Sequence, residues 1–419
     1  MIQRALKLSA ALGVAALALT ACGSSDTATT TPTNSATTAA SAATSAADAG
    51  SITVWVDANR EPVLKPIAAT FKADTGVTVN LVVKDFGKIA DDFIAQAPTG
   101  KGPDAVITAH DGTGRLVESG VVAPLELGDV TAQMQEIAIN AFTYNGKVYG
   151  VPYALENIAL LRNTDLAPTA PKTYDEMITM GKAAKTKYSL LIGLDPKSAD
   201  PYHTYPFQAS FGAPVFESDA SGYTTKLGMG GDNGATFAKW LAAQGKAGIF
   251  NLNITGDIAK DQFTKKQSPF FITGPWNLEA IQKAGINYSI DPIPSAGGEA
   301  ATPFVGVQGF MMSAQSKNPV ATQSFLVDYL STEAVQTALF EAGDRAPANK
   351  AAFEAAKTNK DVAAFGAVGA AGVPMPNVPA MGTVWADWGA TQVQIISGKA
   401  SDPAAAWAKM VTTIQGKIK

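Results

Sequence analysis

Residues 51–83 read SITVWVDANREPVLKPIAATFKADTGVTVNLVV, and this stretch decides the fold. Ile52, Val54 and Val56 alternate with Thr53 and Trp55, the two-residue period of a strand. From Arg60 onward Val63, Leu64, Ile67, Ala68 and Phe71 recur at helical spacing, and Gly76 closes the run. Residues 77–83 are a second β-branched run. Beyond them Ile89, Phe93 and Ile94 mark another helix, and residues 104–108 a third strand. Strand, helix, strand, helix, strand is the pattern of a parallel sheet with helices on its faces.

The pattern then changes. Tyr144-Asn145-Gly146-Lys147 predicts a hairpin turn. Residues 151–161 are apolar and extended, interrupted by Glu156, a charge that is costly there unless it finds a partner. A second α/β block follows. Thr173-Tyr174-Asp175-Glu176 is a capping box opening a helix. Phe237, Trp240 and Leu241 share a helical face, and residues 268–273 predict a strand ending in Gly274-Pro275-Trp276. One long helix is expected from Pro319 through Leu339, and two more over 381–396 and 403–418. Trp55, Trp240 and Trp407 fall within element patterns and are assigned to the core, while one of the pair Trp385 and Trp388 is expected to face a cleft. The chain crosses between the blocks near 154–159 and again near 303–309. Several crossings make a hinge with a cleft between lobes, a favoured place for a ligand.

The 419 residues carry 32 basic and 36 acidic side chains, net −4, and more acidic still once a leader holding Arg4 and Lys7 is removed. That balance argues against nucleic acid and against a basic membrane-docking face. With two histidines, His110 and His203, and one cysteine, a zinc site is hard to assemble, and no cofactor motif is present. The cysteine, Cys22, follows Leu19-Thr20-Ala21 and an apolar run from Ala5 to Leu19. A basic start, a short apolar run and small residues before the cut mark a signal peptide over 1–21. A cysteine at that place looks like a bacterial lipobox, whose cysteine becomes a lipidated N-terminus. Residues 23–50 are almost wholly Ala, Ser and Thr, too poor in apolar surface to fold alone, and read as a tether.

Several motifs stand in one order: Thr53-Val54-Trp55-Val56, Phe71-Lys72-Ala73-Asp74-Thr75-Gly76, Gly102-Pro103-Asp104 and Ala109-His110-Asp111. After them come Tyr144-Asn145-Gly146-Lys147, Asn163-Thr164-Asp165-Leu166, Gly274-Pro275-Trp276, Pro303-Phe304-Val305-Gly306-Val307 and Met375-Pro376-Asn377-Val378-Pro379. In this order and spacing the chain resembles the maltose/maltodextrin-binding proteins of ABC importers over nearly all of 51–419. The resemblance implies an α/β, two-lobed periplasmic-binding-protein-like fold whose hinged lobes enclose the ligand cleft. One lobe would hold 51–155 with 308–350, the other 160–303 with 355–419. It implies a lipid-anchored protein on the outer face of the cell membrane, acting as a monomer. Its partners would be an oligosaccharide, an ABC permease and, through Cys22, the membrane, with no cofactor and no catalysis.

By the same resemblance Asp111, Glu156 and Asp200 are ligand carboxylates, Tyr202, Trp276 and Trp385 stacking platforms, and Asn59 and Arg60 a polar pair after the first strand. The chemistry suits a sugar, which offers an apolar C–H face and a rim of hydroxyls. Asp111 beside Gly112 has a rival reading as a helix cap, and Asp200 before Pro201 as part of a surface loop. The chain departs from the family at Asn59, where aspartate is usual, and at Thr108, Gly112, His203 and Ala386. His203 replaces an apolar residue. These departures leave maltose, a longer α-glucan, trehalose or another disaccharide open as ligand. A surface glycoside hydrolase using Glu156 and Asp200 is the alternative from another class, and a polyamine or iron binder fits the residues less well.

Overall fold

The opening strand lies one place in from the edge of its sheet. In a computed structural model, which describes residues 50–219 and 222–418, strand β1 is Ser51–Val56. Ile52, Val54 and Val56 are fully buried, and Trp55 is buried on the opposite face because helices cover both sides. β1 pairs in parallel with β2 (Thr78–Val83) and β3 (Ala105–Ala109). Helix α1 (Glu61–Thr75) turns Leu64, Ala68 and Phe71 inward. It ends at Gly76, φ 77°, whose N–H returns to the Lys72 carbonyl. Helix α2 (Ile89–Gln96) makes the second crossover. The signal peptide, Cys22 and the tether through residue 49 lie outside the described residues.

This first sheet has eight strands. β4 (Gly150–Asn157) and β9 (Phe304–Ser313) lie beside each other antiparallel, and β9 also pairs antiparallel with β3. Two-residue strands at Ala346–Pro347, Val122–Ala123 and Val373–Pro374 complete it. A second sheet of four strands holds β5 (Ala159–Asn163), β6 (Leu191–Ile192), β7 (Phe270–Thr273) and β8 (Tyr288–Asp291). Ile158 alone separates β4 in one sheet from β5 in the other. Coming back, β9 begins with Val305 opposite Asn157 and Gly306 opposite Glu156. Two hydrogen-bonded strands thus carry the chain between two bodies, each with its own apolar core. One core draws on Ile52 to Ala154 and Val307 to Ala348, the other chiefly on Ile158 to Phe304 and Met375 to Ile414. This is the two-lobed α/β architecture that the sequence led us to expect.

Local expectations hold in detail at the turns. The strands Thr143–Tyr144 and Lys147–Val148 form the hairpin, with Asn145 (φ 49°) and Gly146 (φ 73°) both left-handed. Thr173 accepts from the Glu176 N–H at 3.2 Å, while the Glu176 carboxylate reaches the N–H of Lys172, one residue further back than a standard capping box. The helix expected through 319–339 is instead broken. Pro319–Ser324 leads into a π-helical turn at Phe325–Tyr329, and a new helix runs Glu333–Gly343. Thr332 causes the break, because its hydroxyl caps the N–H of Val335 as a fresh helix start. The helix expected from 381 begins as a 3-10 turn, Pro379–Thr383. Trp240 is only half-buried, among the rings of Tyr174, Phe207, Phe237 and Phe250.

Candidate functional site

Strand ends and helix starts from both bodies converge at the crossing. Asp111 lies in the short turn after β3, and Glu156 is the last residue but one of β4. Trp276 lies in the turn after β7. Asp200 caps helix α3 (Pro201–Ser210), placing Tyr202 and His203 in its first turn. Trp385 opens helix α4 (Trp385–Ile396).

The rings of these residues form one continuous strip. Trp276 stands edge-on to His203 (6.0 Å, 87°), and His203 to Tyr202 (5.5 Å, 78°). Tyr202 stacks beside Phe304 (6.3 Å, 27°), and Phe304 meets Trp385 edge-on (6.4 Å, 74°). Trp385 in turn stacks on Trp388 (5.4 Å, 24°), which is fully buried, so of that pair Trp385 is the accessible one. A Cβ on Gly274 would lie 2.0 Å from the Trp276 ring, so the residue before the turn must be glycine for the indole to fold back as it does.

Three carboxylates edge the strip. Asp111 accepts from the Trp385 indole N–H at 3.0 Å. Asp200 accepts from the His203 ring at 2.7 Å and from its backbone N–H at 3.1 Å. Glu156 is engaged on both oxygens, by Gln308 Nε2 at 2.6 Å and by Arg345 Nε. Arg345 also lies over the Trp276 ring, 5.6 Å from its centre. The cost of a charge in the crossing strand is therefore met by a guanidinium 189 residues further along the chain. Around Glu156 lie three buried polar atoms with no hydrogen-bond partner: Gln308 Oε1, Tyr202 Oη and Arg60 Nη2. Burial raises the Tyr202 hydroxyl pKa well above its ordinary 10, reinforced by Glu156 and Asp200, so the phenol stays neutral and can donate.

Arg60 and Asn59 behave differently. Arg60 is buried, its Nε donating to Tyr153 Oη at 2.6 Å and its Nη1 paired with Asp57. Asn59 is exposed and gives its backbone N–H to Asp57 at 2.9 Å. The carboxylate after β1 is thus Asp57, two residues before the expected pair. Its position directly at a strand's carboxyl end is the signal that would have found it. Phe304 and Gln308 fall in the expected crossing at 303–309 but were not singled out, and nothing local in the sequence ties Arg345 or Tyr153 to the cleft.

His110 ties the turn after β3 to β9 and to the segment at Met375. Its Nδ1 accepts the Val307 N–H at 3.0 Å, so its Nε2 carries the proton and donates to the Met375 carbonyl at 2.9 Å. Burial lowers its pKa to about 4 against the pull of those two backbone bonds, so the ring is neutral near pH 7.

The chain matches the family described as bacterial extracellular solute-binding protein over residues 66–366. It belongs to that family. A solved structure, the Thermus thermophilus maltotriose binding protein bound with maltotriose, superposes with a TM-score of 0.79 at 31% identity, covering 88% of this chain and all of that one. A galactooligosaccharide-binding protein of Bacillus subtilis is 28% identical, with 88% of this chain and 89% of that one aligned. A maltooligosaccharide ABC transporter solute-binding lipoprotein of Streptococcus pneumoniae is 27% identical, with 100% and 99% aligned. These relatives bind solutes.

In this solute-binding protein Asp111 gives a direct test of burial. Burial pushes its carboxyl up to about 6, opposed by the Trp385 indole, the backbone N–H groups of Asp111 and Gly112, and Arg115. The folded chain takes up this proton near pH 6, whereas the unfolded chain does so only near the ordinary 3.8. Stability from this group is therefore complete below the unfolded value and is lost as the pH rises through the folded one. Asp111→Asn should remove the dependence, so that between about pH 4 and 7 the unaltered protein loses up to about 3 kcal/mol relative to the variant. Urea denaturation of both proteins across that range checks it. A constant difference between them would show that the carboxyl titrates normally.

Proposed function

We propose that this chain captures an oligosaccharide of the maltodextrin type in the cleft between its lobes and delivers it to an ABC permease. The observation that carries the reading is the set of partly exposed rings Trp276, Tyr202 and Trp385, joined through His203 and the buried Phe304, with carboxylates along its edge. Sugar rings lay their C–H faces on such platforms, and their hydroxyls satisfy flanking polar groups. The unpartnered atoms of Gln308, Tyr202 and Arg60 are the kind of donors and acceptors those hydroxyls would pair. Asp111, Glu156, Tyr202, Trp276 and Trp385 are the contacting residues in this reading. Arg60, held by Asp57 and Tyr153, offers its free Nη2, and Asn59 is exposed beside it.

The names of the relatives support the same class: a maltodextrin-binding protein and a galactooligosaccharide-binding protein, both of Bacillus subtilis, and maltooligosaccharide transport lipoproteins of Streptococcus pneumoniae. The galactooligosaccharide binder favours a second reading, a β-galactoside oligomer on the same platforms. Binding here needs no chemistry. The two carboxylates of the hydrolase alternative are each engaged within the chain, Asp200 by His203 and Glu156 by Arg345 and Gln308, which supports binding over hydrolysis. Anchoring of the monomer to the outer face of the membrane would run through lipidated Cys22, so Cys22→Ser should abolish incorporation of labelled palmitate and release the protein.

Calorimetric titration of the chain with maltotriose, maltotetraose, trehalose and galactotriose tests the function. Saturable heat with the α-glucans supports the first reading, and heat with galactotriose alone supports the second. Silence with all four, together with no thermal shift, would remove the saccharide reading.

A further inference from the structure

We propose that His203 is the group through which the Trp276 end of the cleft receives a sugar hydroxyl, with Asp200 as a positioning residue behind it. The inference rests on the saccharide reading above and deepens it. Both Asp200 oxygens are already committed, Oδ1 to the His203 backbone N–H and Oδ2 to the His203 ring. Asp200 is also fixed as the cap of the helix that begins at Pro201, so it cannot swing toward a ligand without uncapping that helix. The carboxylate is the more open of the two, 33% against 16%, but its oxygens already accept, so the imidazole is the member of the pair with a ring nitrogen left for a ligand.

The tautomer follows from the carboxylate. An ionised carboxylate only accepts, so the contact with Asp200 is made through an Nδ1–H, and in that tautomer of the uncharged ring Nε2 carries the lone pair. Nε2 meets no hydrogen-bonding partner among the described residues, and the side chain keeps 16% of its surface open. The ring stands edge-on to Trp276 and to Tyr202, so the imidazole lies at the border of two platforms. A pyranose seated on Trp276 directs its equatorial hydroxyls sideways, along that border. An apolar residue here, as the family resemblance would have it, could not accept them. The Asp200–His203 pair therefore adds one acceptor that reads the presence of a hydroxyl donor at a single position of the ring.

The test uses the full chain, maltotriose and its monodeoxy analogues in calorimetric titration. His203→Phe keeps a ring against Trp276 and loses the acceptor, and affinity for maltotriose should fall on the order of tenfold. His203→Gln, whose amide oxygen can approach the Nε2 position, should restore most of it. One monodeoxy analogue should bind the unaltered protein about tenfold more weakly than maltotriose, yet bind His203→Phe as well as the parent sugar does. That loss of discrimination separates a contacting residue from one that merely supports the helix. Equal affinity of the Phe variant and the unaltered protein, or undiminished discrimination in it, overturns the inference and leaves the saccharide reading standing. Absence of saccharide binding by the unaltered protein overturns both. Should the Phe variant not fold, the same discrimination measured in His203→Leu decides.

Discussion

Glu156→Ala is expected to cost about 3–5 kcal/mol of stability and to abolish saccharide binding together. The carboxylate and its Arg345 partner are each less than a tenth exposed, so removing one strands a guanidinium in a place water hardly reaches. Gln308 loses its acceptor as well, and its own Oε1 is already unpartnered. Gln308 lies on β9, one of the two strands that join the lobes. Removing the partner too should be cheaper than the first change alone. Glu156→Leu with Arg345→Met should therefore recover part of the cost, giving a coupling of a few kcal/mol in a double-mutant cycle. Equilibrium urea denaturation of the two single variants and the double variant measures it. If Glu156→Ala unfolds at the same midpoint as the unaltered protein, the pair contributes nothing to folding.

Trp276→Ala should leave the melting temperature within a degree or two and weaken saccharide binding by about 1–3 kcal/mol, roughly ten- to a hundredfold. The indole lies only partly buried at the edge of its core, beyond the end of β7, whose residues Phe270–Thr273 are buried without its help. What it does support is the cleft: it faces the His203 edge and the Arg345 guanidinium. Calorimetry alongside a thermal melt separates the two effects. Unaltered affinity would place the platform elsewhere, and a collapsed melt would make the indole a structural residue.

The parts of this protein that were legible in its sequence are those that a local pattern can encode. Alternation around Ile52 to Val56, the helical spacing of Leu64, Ala68 and Phe71, and Asn145-Gly146 all read correctly because each is decided within a few residues. The crossing near Glu156 was legible because a charge in an apolar strand demands a partner. Which partner was not: Arg345 follows an αL residue, Asp344, in an unremarkable turn, and only the fold brings it back. The break at Thr332 was hidden because the apolar spacing continues across it, and a single capping hydroxyl outweighs that spacing. His110 entered the sequence reading only as one of two histidines and as part of the Ala109-His110-Asp111 motif, yet its two ring nitrogens join three chain segments.

The separation of the tryptophans has an optical consequence. Of the six in the chain, Trp55, Trp388 and Trp407 are sealed in the cores and Trp240 is shielded by an aromatic cluster. Trp276 and Trp385 stand on the cleft, and the Trp385 indole N–H is held by the Asp111 carboxylate. A ligand hydroxyl that claimed that oxygen would change the hydrogen bonding beside one fluorophore and leave Trp55 and Trp407 as an internal standard. The protein thus contains its own emission probe for occupancy, and single Phe replacements at 276 and 385 would divide its signal between the two ends of the bound sugar.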